Sequence, residues 1–234
     1  MSDTSHTLDK IQRPLRLLKN RLKLLVGKRT AAKFHKLYYD NRGQTWSNTQ
    51  WLGTNILKCP LDIWLYQEII YDVKPDIIIE TGTCYGASAH FMACLCEIIG
   101  HGNVVTVDIE HQPKRPSHSR LTYLTGSSIS PEIVSHVRTL VAGKNSVLVV
   151  LDSDHRKAHV LEEMLTYSEF VTKGSYLIVE DTNINGHPVR ADFGDGPWEA
   201  VSDFLAQDDR FAIDRQKEKF FLSFNPNGYL RRIG

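Results

Sequence analysis

Between Asp76 and Asp181 the chain repeats one unit: a short apolar run, rich in β-branched residues, that ends in a polar turn. The runs are Asp76–Glu80, Val104–Asp108, Leu121–Gly126, Ser146–Asp152 and Ser175–Asp181. Stretches with helical patterning, Ala87–Ile99, Ser130–Val141 and His155–Val171, lie between them. Strands alternating with helices predict a mostly parallel sheet covered on both faces, an α/β fold. A further helix is expected at Trp198–Ala206. Two late apolar runs, Phe211–Arg215 and Phe220–Asn225, flank a short charged turn and read as an antiparallel hairpin, which brings the sheet to seven strands. In the helix His155–Val171, Glu162 and Glu163 are expected on the solvent side.

The chain of 234 residues is long enough to bury a sizeable core, and its 41% hydrophobic and 24% charged content is ordinary for a globular protein. The net charge of +1 conceals an asymmetry. Lys10 to Lys36 contains ten Lys/Arg and no Asp/Glu, whereas the rest, from Leu37, holds 18 basic and 25 acidic residues, a formal −7. Ile11, Leu15, Leu18, Leu22 and Leu25 form a helical apolar stripe among these basic residues, after a polar Met1–Asp9 expected to be disordered. Residues 1–47 are therefore read as a basic helical extension, with a second short helix at Ala31–Asp40, and residues 48–234 as the main domain. A basic amphipathic helix can make peripheral contact with an anionic membrane through residues 10–36; docking on its own domain or on another subunit is the favoured reading. No window approaches the length of a membrane span, and no secretory signal is visible. Four scattered cysteines, Cys59, Cys84, Cys94 and Cys96, suit a reducing compartment. A cytoplasmic protein, free or membrane-associated, is expected. A homo-oligomer is expected too, with no nucleic-acid partner.

The first strand runs into Glu80-Thr-Gly82-Thr83-Cys-Tyr-Gly86. Thr81 stands at the first glycine of a G-x-G-x-x-G fingerprint, which weakens a dinucleotide pyrophosphate site. An acid there suits a ligand with a cationic amino-acid end, as in S-adenosylmethionine. Asp108 ends the second strand, 28 residues after Glu80, where a carboxylate can accept both ribose hydroxyls. A second constellation, Asp152, Asp154, His155, Glu180 and Asp181, gathers at two later strand ends. Clustered carboxylates repel one another unless a cation compensates them, and an oxygen-rich set suits Mg²⁺, with Mn²⁺ also acceptable. Such an ion would lower the pKa of an acceptor hydroxyl, and His155 would take its proton. Aromatic residues of the Asn41–Pro60 segment, Trp51 among them, either line a pocket or anchor the loop.

VLDSDH (Val150–His155), VEDTNINGHPV (Val179–Val189), FGDGPWEA, FNPNGYL, the YYDN segment (Tyr38–Asn41) and ETGTCYGAS together resemble the cephalosporin hydroxylase / rhamnosyl O-methyltransferase family. The match spans roughly Tyr38 to Arg232. It implies a Rossmann-like class I methyltransferase fold, S-adenosylmethionine as donor and Mg²⁺ as metal. It also implies Mg²⁺-dependent O-methylation of a saccharide, glycolipid or glycosylated metabolite. By this resemblance Asp152, Glu180 and Asp181 hold the metal, with Asp154 as a further candidate, and His155 is the base. Glu80, Gly82, Thr83, Gly86, Ser88, Asp108, Ser127, Ser128 and Asp152 face the cofactor. Asn183, His187, Trp51 and Tyr39 are the acceptor-side candidates, and the Thr182–Pro197 loop borders that side. The alternative reading is a catalytically silent S-adenosylmethionine-binding accessory protein.

Overall fold

A computed structural model describes residues 26–234. The apolar stripe from Ile11 to Leu25 and the polar Met1–Asp9 lie outside the described residues. Helix α1 occupies residues 26–40, longer than the expected Ala31–Asp40. A two-stranded ribbon, β1 (Gln50–Trp51) and β2 (Thr54–Asn55), leads to α2 (Pro60–Val73). Pro60 starts this helix where its missing N–H costs nothing. The Rossmann-like part follows: β3 (Ile77–Thr81), α3 (Ala87–Ile99), β4 (Asn103–Asp108), β5 (Leu121–Thr125), α4 (Pro131–Val141), β6 (Val147–Leu151), α5 (Lys157–Tyr167) and β7 (Tyr176–Val179). The chain closes with α6 (Pro197–Leu205), β8 (Phe211–Ile213) and β9 (Tyr229–Arg232).

The sheet order is β5-β4-β3-β6-β7-β9-β8. Five strands are parallel; β9 runs antiparallel to both β7 and β8. Alternation along each strand sends side chains to two cores. Ile77, Ile79, Val149, Leu151 and Val179 meet α4, α5 and α6, while Ile78, Leu148, Val150 and Ile178 meet α2 and α3. Both faces are covered, so the central strands are apolar throughout. The order changes direction between β3 and β6, and the carboxyl ends of β3, β4, β6 and β7 open onto that crevice, where ligands bind in folds of this type.

Two local expectations are corrected. Phe220–Asn225 is not the closing strand; Tyr229–Arg232 is. Leu222 and Phe224 instead pack with Cys59 against Tyr38, Tyr39, Trp46 and Leu61. The Phe224 N–H donates to Asp62 Oδ2 at 2.7 Å, and its carbonyl accepts from the Asn183 N–H at 3.0 Å. With its backbone engaged by α2 and the loop after β7, and with Phe221 at φ 63°, the segment cannot continue a ladder. Glu163 is the second correction. It is fully buried, accepting from Ser153 Oγ at 2.8 Å, because the helix turns this position towards β6.

Helix α1 docks on the main domain. His35 stacks on Phe224, ring centroids 5.6 Å apart, and its Nε2 meets Asn183 Nδ2 at 2.9 Å. Its outer side exposes Val26, Phe34 and Leu37. Among the described residues no helix is long and apolar enough to cross a membrane.

Candidate active site

The turn after β3 is built by sterics. Gly82 has φ +84°, and a Cβ there would lie 1.8 Å from the Asp152 carbonyl oxygen. Only glycine lets the two strand ends approach this closely. The Gly82 N–H donates to the Val107 carbonyl and the Asp152 N–H to the Thr81 carbonyl, so the ends of β3, β4 and β6 are locked together. Gly86, at φ +79°, abuts the Tyr123 hydroxyl and the Arg115 side chain and caps α3.

A cavity of about 400 Å³ lies over this junction. Gly82, Asp108, Ser127, Ser128, Asp152 and Asp154 line it. A small recess of about 30 Å³ adjoins it and is lined by Lys58, Gly82, Thr83, Ser88 and Asp152, among others. Asp108 is held by its own loop: its Oδ2 accepts from the Cys84 N–H at 2.8 Å and from Arg115 at 3.1 Å, and its Oδ1 accepts from the Glu110 N–H.

Glu80 lines neither space. It is fully buried beneath the turn, where Ser88 Oγ and Thr106 Oγ1 donate to its two oxygens. Burial pushes its carboxyl up to about 7 despite the pull of Lys58 and these hydroxyls. Glu80 therefore lies beneath the cavity floor.

The acidic set converges at the ends of β6 and β7. The Glu180 N–H extends the ladder to the Leu151 carbonyl at 3.0 Å. Asp181 takes the left-handed region, φ 53°, and its N–H donates to Asn225 Oδ1 at 3.0 Å. That turn sends successive carboxylates into one pocket. His155 Nε2 lies 3.2 Å from Asp181 Oδ2. One donor atom each from Asp152, His155 and Asp181 falls within 4.8 Å of the others, the spacing of a cation site. The carboxylate oxygens suit a hard divalent ion of the Mg²⁺ or Mn²⁺ type, with the imidazole beside them. Burial raises the carboxyl pKa of Asp152, Glu180 and Asp181, as expected of an acidic set that a cation would complete. At His155 burial disfavours the imidazolium, but Asp181, Asp152 and Glu180 outweigh it and raise its pKa.

Glu180 faces the opposite side of the pocket. Its Oε1 accepts from the Lys58 ammonium and from the Tyr66 hydroxyl. Lys58 is 4% exposed and also donates to Asp152 Oδ2 at 2.7 Å. Burial opposes its charge, yet Asp152, Glu180 and Glu80 more than compensate and raise its pKa. Sequence reading missed both Lys58 and Tyr66. Lys58 sits in an unpatterned loop, 94 residues from Asp152 and 122 from Glu180, so no local signal ties them.

The remaining candidates separate. Asp154 turns to the following helix start, accepting from the Arg156 N–H at 2.8 Å, and does not join the acidic set. Tyr39 stacks on Trp46 and lies near the site: burial first, and Asp181 second, push its phenol upward. Asn183 is fully buried and holds His35, which joins α1 to the loop after β7. His187 stacks on Trp198 with centroids 4.2 Å apart and bonds Glu199 at 2.9 Å. It borders a separate cavity of about 480 Å³ that also contacts α1 through Lys28, Ala31, Ala32 and His35. Trp51 packs edge-on against Phe91 as part of the α3 core and lines none of these three spaces.

Comparison with known proteins is consistent with this arrangement. The sequence profile of the family described as Rhamnosyl O-methyltransferase/CmcI matches residues 43–233. A Rhamnosyl O-methyltransferase of Mycobacterium tuberculosis (strain ATCC 25618 / H37Rv) is 39% identical over 214 residues, 86% of this chain and 84% of that protein. The Mycobacterium leprae (strain TN) protein of the same name is 38% identical over 211 residues, 86% of this chain and 90% of its own length. The solved structure of CmcI with Mg and SAM superposes with TM-score 0.63 at 20% identity, covering 80% of this chain and 78% of that one. An apo form of CmcI gives 0.63 at 21% identity, over 80% and 77%. The structural likeness shows a shared class I methyltransferase fold, and on the sequence match the chain belongs to the rhamnosyl O-methyltransferase/CmcI family.

Proposed function

We propose that the chain transfers a methyl group from S-adenosylmethionine to a hydroxyl of a saccharide, glycolipid or glycosylated metabolite, with a divalent ion of the Mg²⁺ type in the acidic pocket. One observation carries this reading. The cluster of Asp152, His155 and Asp181, with Glu180 joined to Asp152 through Lys58, shares Asp152 with the cavity bordered by Gly82 and Asp108. Relatives named for rhamnosyl O-methylation support the acceptor class, and CmcI solved with Mg and SAM supports the ligands.

When bound, the ion lowers the acceptor hydroxyl's pKa and the cofactor supplies the methyl group. The chain's own residues do the rest. Gly82 leaves room for close backbone approach, and Asp108, Ser127 and Ser128 offer polar contacts along the large cavity. Asp152, Glu180 and Asp181 would hold the cation, and Asp152 also lines the large cavity. His155 would take the hydroxyl proton on the ring nitrogen that Asp181 does not engage, and Asp181, 3.2 Å from Nε2, would stabilise the imidazolium that results. Holding donor and acceptor in line accounts for much of the remaining barrier.

The test is radiolabelled methyl transfer to rhamnosyl glycosides and glycolipids, with Mg²⁺ and after chelation. Ion-dependent transfer that Asp152→Ala abolishes is expected. Undiminished transfer after chelation, or full activity of Asp152→Ala, overturns the metal role. Cofactor binding without turnover on any such acceptor overturns the enzymatic one.

A further inference from the structure

Lys58 is an unusual residue in an unusual place. Its ammonium is 4% exposed and bridges Asp152, at the end of β6, to Glu180, at the end of β7. Removing a lysine from water is costly, and an apolar side chain could close the same space at lower cost. A buried cation kept between two carboxylates therefore points to a task at those carboxylates.

Charge and connectivity define the task. Asp152, Glu180 and Asp181 carry a formal −3 when ionised. Lys58 reduces this to −2, the charge that one divalent ion neutralises. It does so through Oδ2 of Asp152 and Oε1 of Glu180, one oxygen of each carboxylate. The Tyr66 hydroxyl adds a neutral donor to that same Glu180 oxygen. The segment carrying Lys58 is held from below, since the Asp62 and Ile63 N–H groups both donate to the Cys59 carbonyl at the start of α2.

We propose that Lys58 is a positioning residue for the divalent ion: it ties one oxygen of Asp152 and one of Glu180 together, so that both carboxylates are oriented before the ion arrives and a single ion completes the charge. This rests on the metal reading above. Two effects of Lys58 on the ion oppose each other. Direct repulsion between ammonium and ion weakens binding, while pre-orientation of two ligands strengthens it. Pre-orientation prevails, because without Lys58 the Asp152 and Glu180 carboxylates that its Nζ joins repel each other and turn apart.

The experiment measures Mn²⁺ affinity by electron paramagnetic resonance for the wild type, Lys58→Met, Lys58→Arg and Tyr66→Phe, with circular dichroism as the check on folding. Loss of outer-sphere support weakens metal sites by about 10–100-fold. Lys58→Met is expected to fall in that range and Lys58→Arg between it and the wild type. Tyr66→Phe, which removes only a neutral donor, is expected to lose less than Lys58→Met. Unchanged or tighter Mn²⁺ binding by folded Lys58→Met overturns the inference and leaves the metal reading intact. Should Lys58→Met not fold, wild-type affinity in Lys58→Arg overturns it equally. A wild type that binds no Mn²⁺ removes the metal reading itself.

Discussion

Glu80 and Glu180 stand at equivalent places in this sheet, each at the carboxyl end of a buried apolar strand, and the protein uses them in opposite ways. Glu80 meets only hydroxyl donors, Ser88 and Thr106, in a fully buried floor, and its carboxyl is pushed up to about 7. Glu180 meets an ammonium and a phenol and joins a pocket shared with Asp152, His155 and Asp181. An acid at a strand end is therefore not yet a site. Its partners decide whether it is a buried strut or part of a charged cluster that invites a cation.

That contrast is open to direct test. Glu180→Gln is expected to reduce ion-dependent methyl transfer by about 10³-fold, the several kcal/mol that a metal supplies to a reaction of this kind. Glu80→Gln, measured beside it, is expected to lose less than about tenfold, or 1.4 kcal/mol. Equal losses would mean that both acids face ligands. His155→Gln is expected to lower kcat by about 10²-fold, within the range for a general base, while Mn²⁺ affinity stays near that of the wild type. A joint loss of affinity and rate would recast His155 as an ion ligand.

A third effect belongs to the link between α1 and the site. His35 is buried against Phe224 and Asn183, and burial pulls its pKa down to about 4, below the 6.5 of an ordinary histidine. The unfolded chain thus binds more protons between these values. The stability contribution is complete above about pH 6.5 and is lost as pH falls towards 4, by about 3 kcal/mol at most. Urea midpoints of the wild type minus those of His35→Gln, taken across that window, isolate it from Asp62 and Glu80, whose raised carboxyls act with the opposite sign. A flat difference would show that α1 does not depend on a neutral His35. The smallest change is expected at Asp154. Its carboxylate caps the Arg156 N–H at a half-exposed position, so Asp154→Ala should leave Mn²⁺ affinity unaltered and shift stability by about 0.5 kcal/mol. A large loss of Mn²⁺ affinity would return Asp154 to the ion site.

The alternation of β-branched runs with helical stretches, the glycine after β3 and the acids after β4, β6 and β7 were legible in the sequence. Each is a local pattern, read within one strand or one turn, and each led to the correct region of the sheet. Where local pattern misled, a tertiary partner was responsible. FFLSFN carries strand composition, but aromatic residues of α1 and the Asp62 carboxylate capture it. Glu163 has the charge of a surface residue, yet Ser153 receives it in the interior. By itself, then, the sequence determined which carboxylates gather at the mouth of the sheet, because strand order and strand ends follow from short-range periodicity and crossover geometry. Only the tertiary structure decided which of them share a pocket and what cation stands between them. Lys58 reaches Asp152 and Glu180 across 94 and 122 residues, and a contact over such a separation depends on how the completed sheet places its ends.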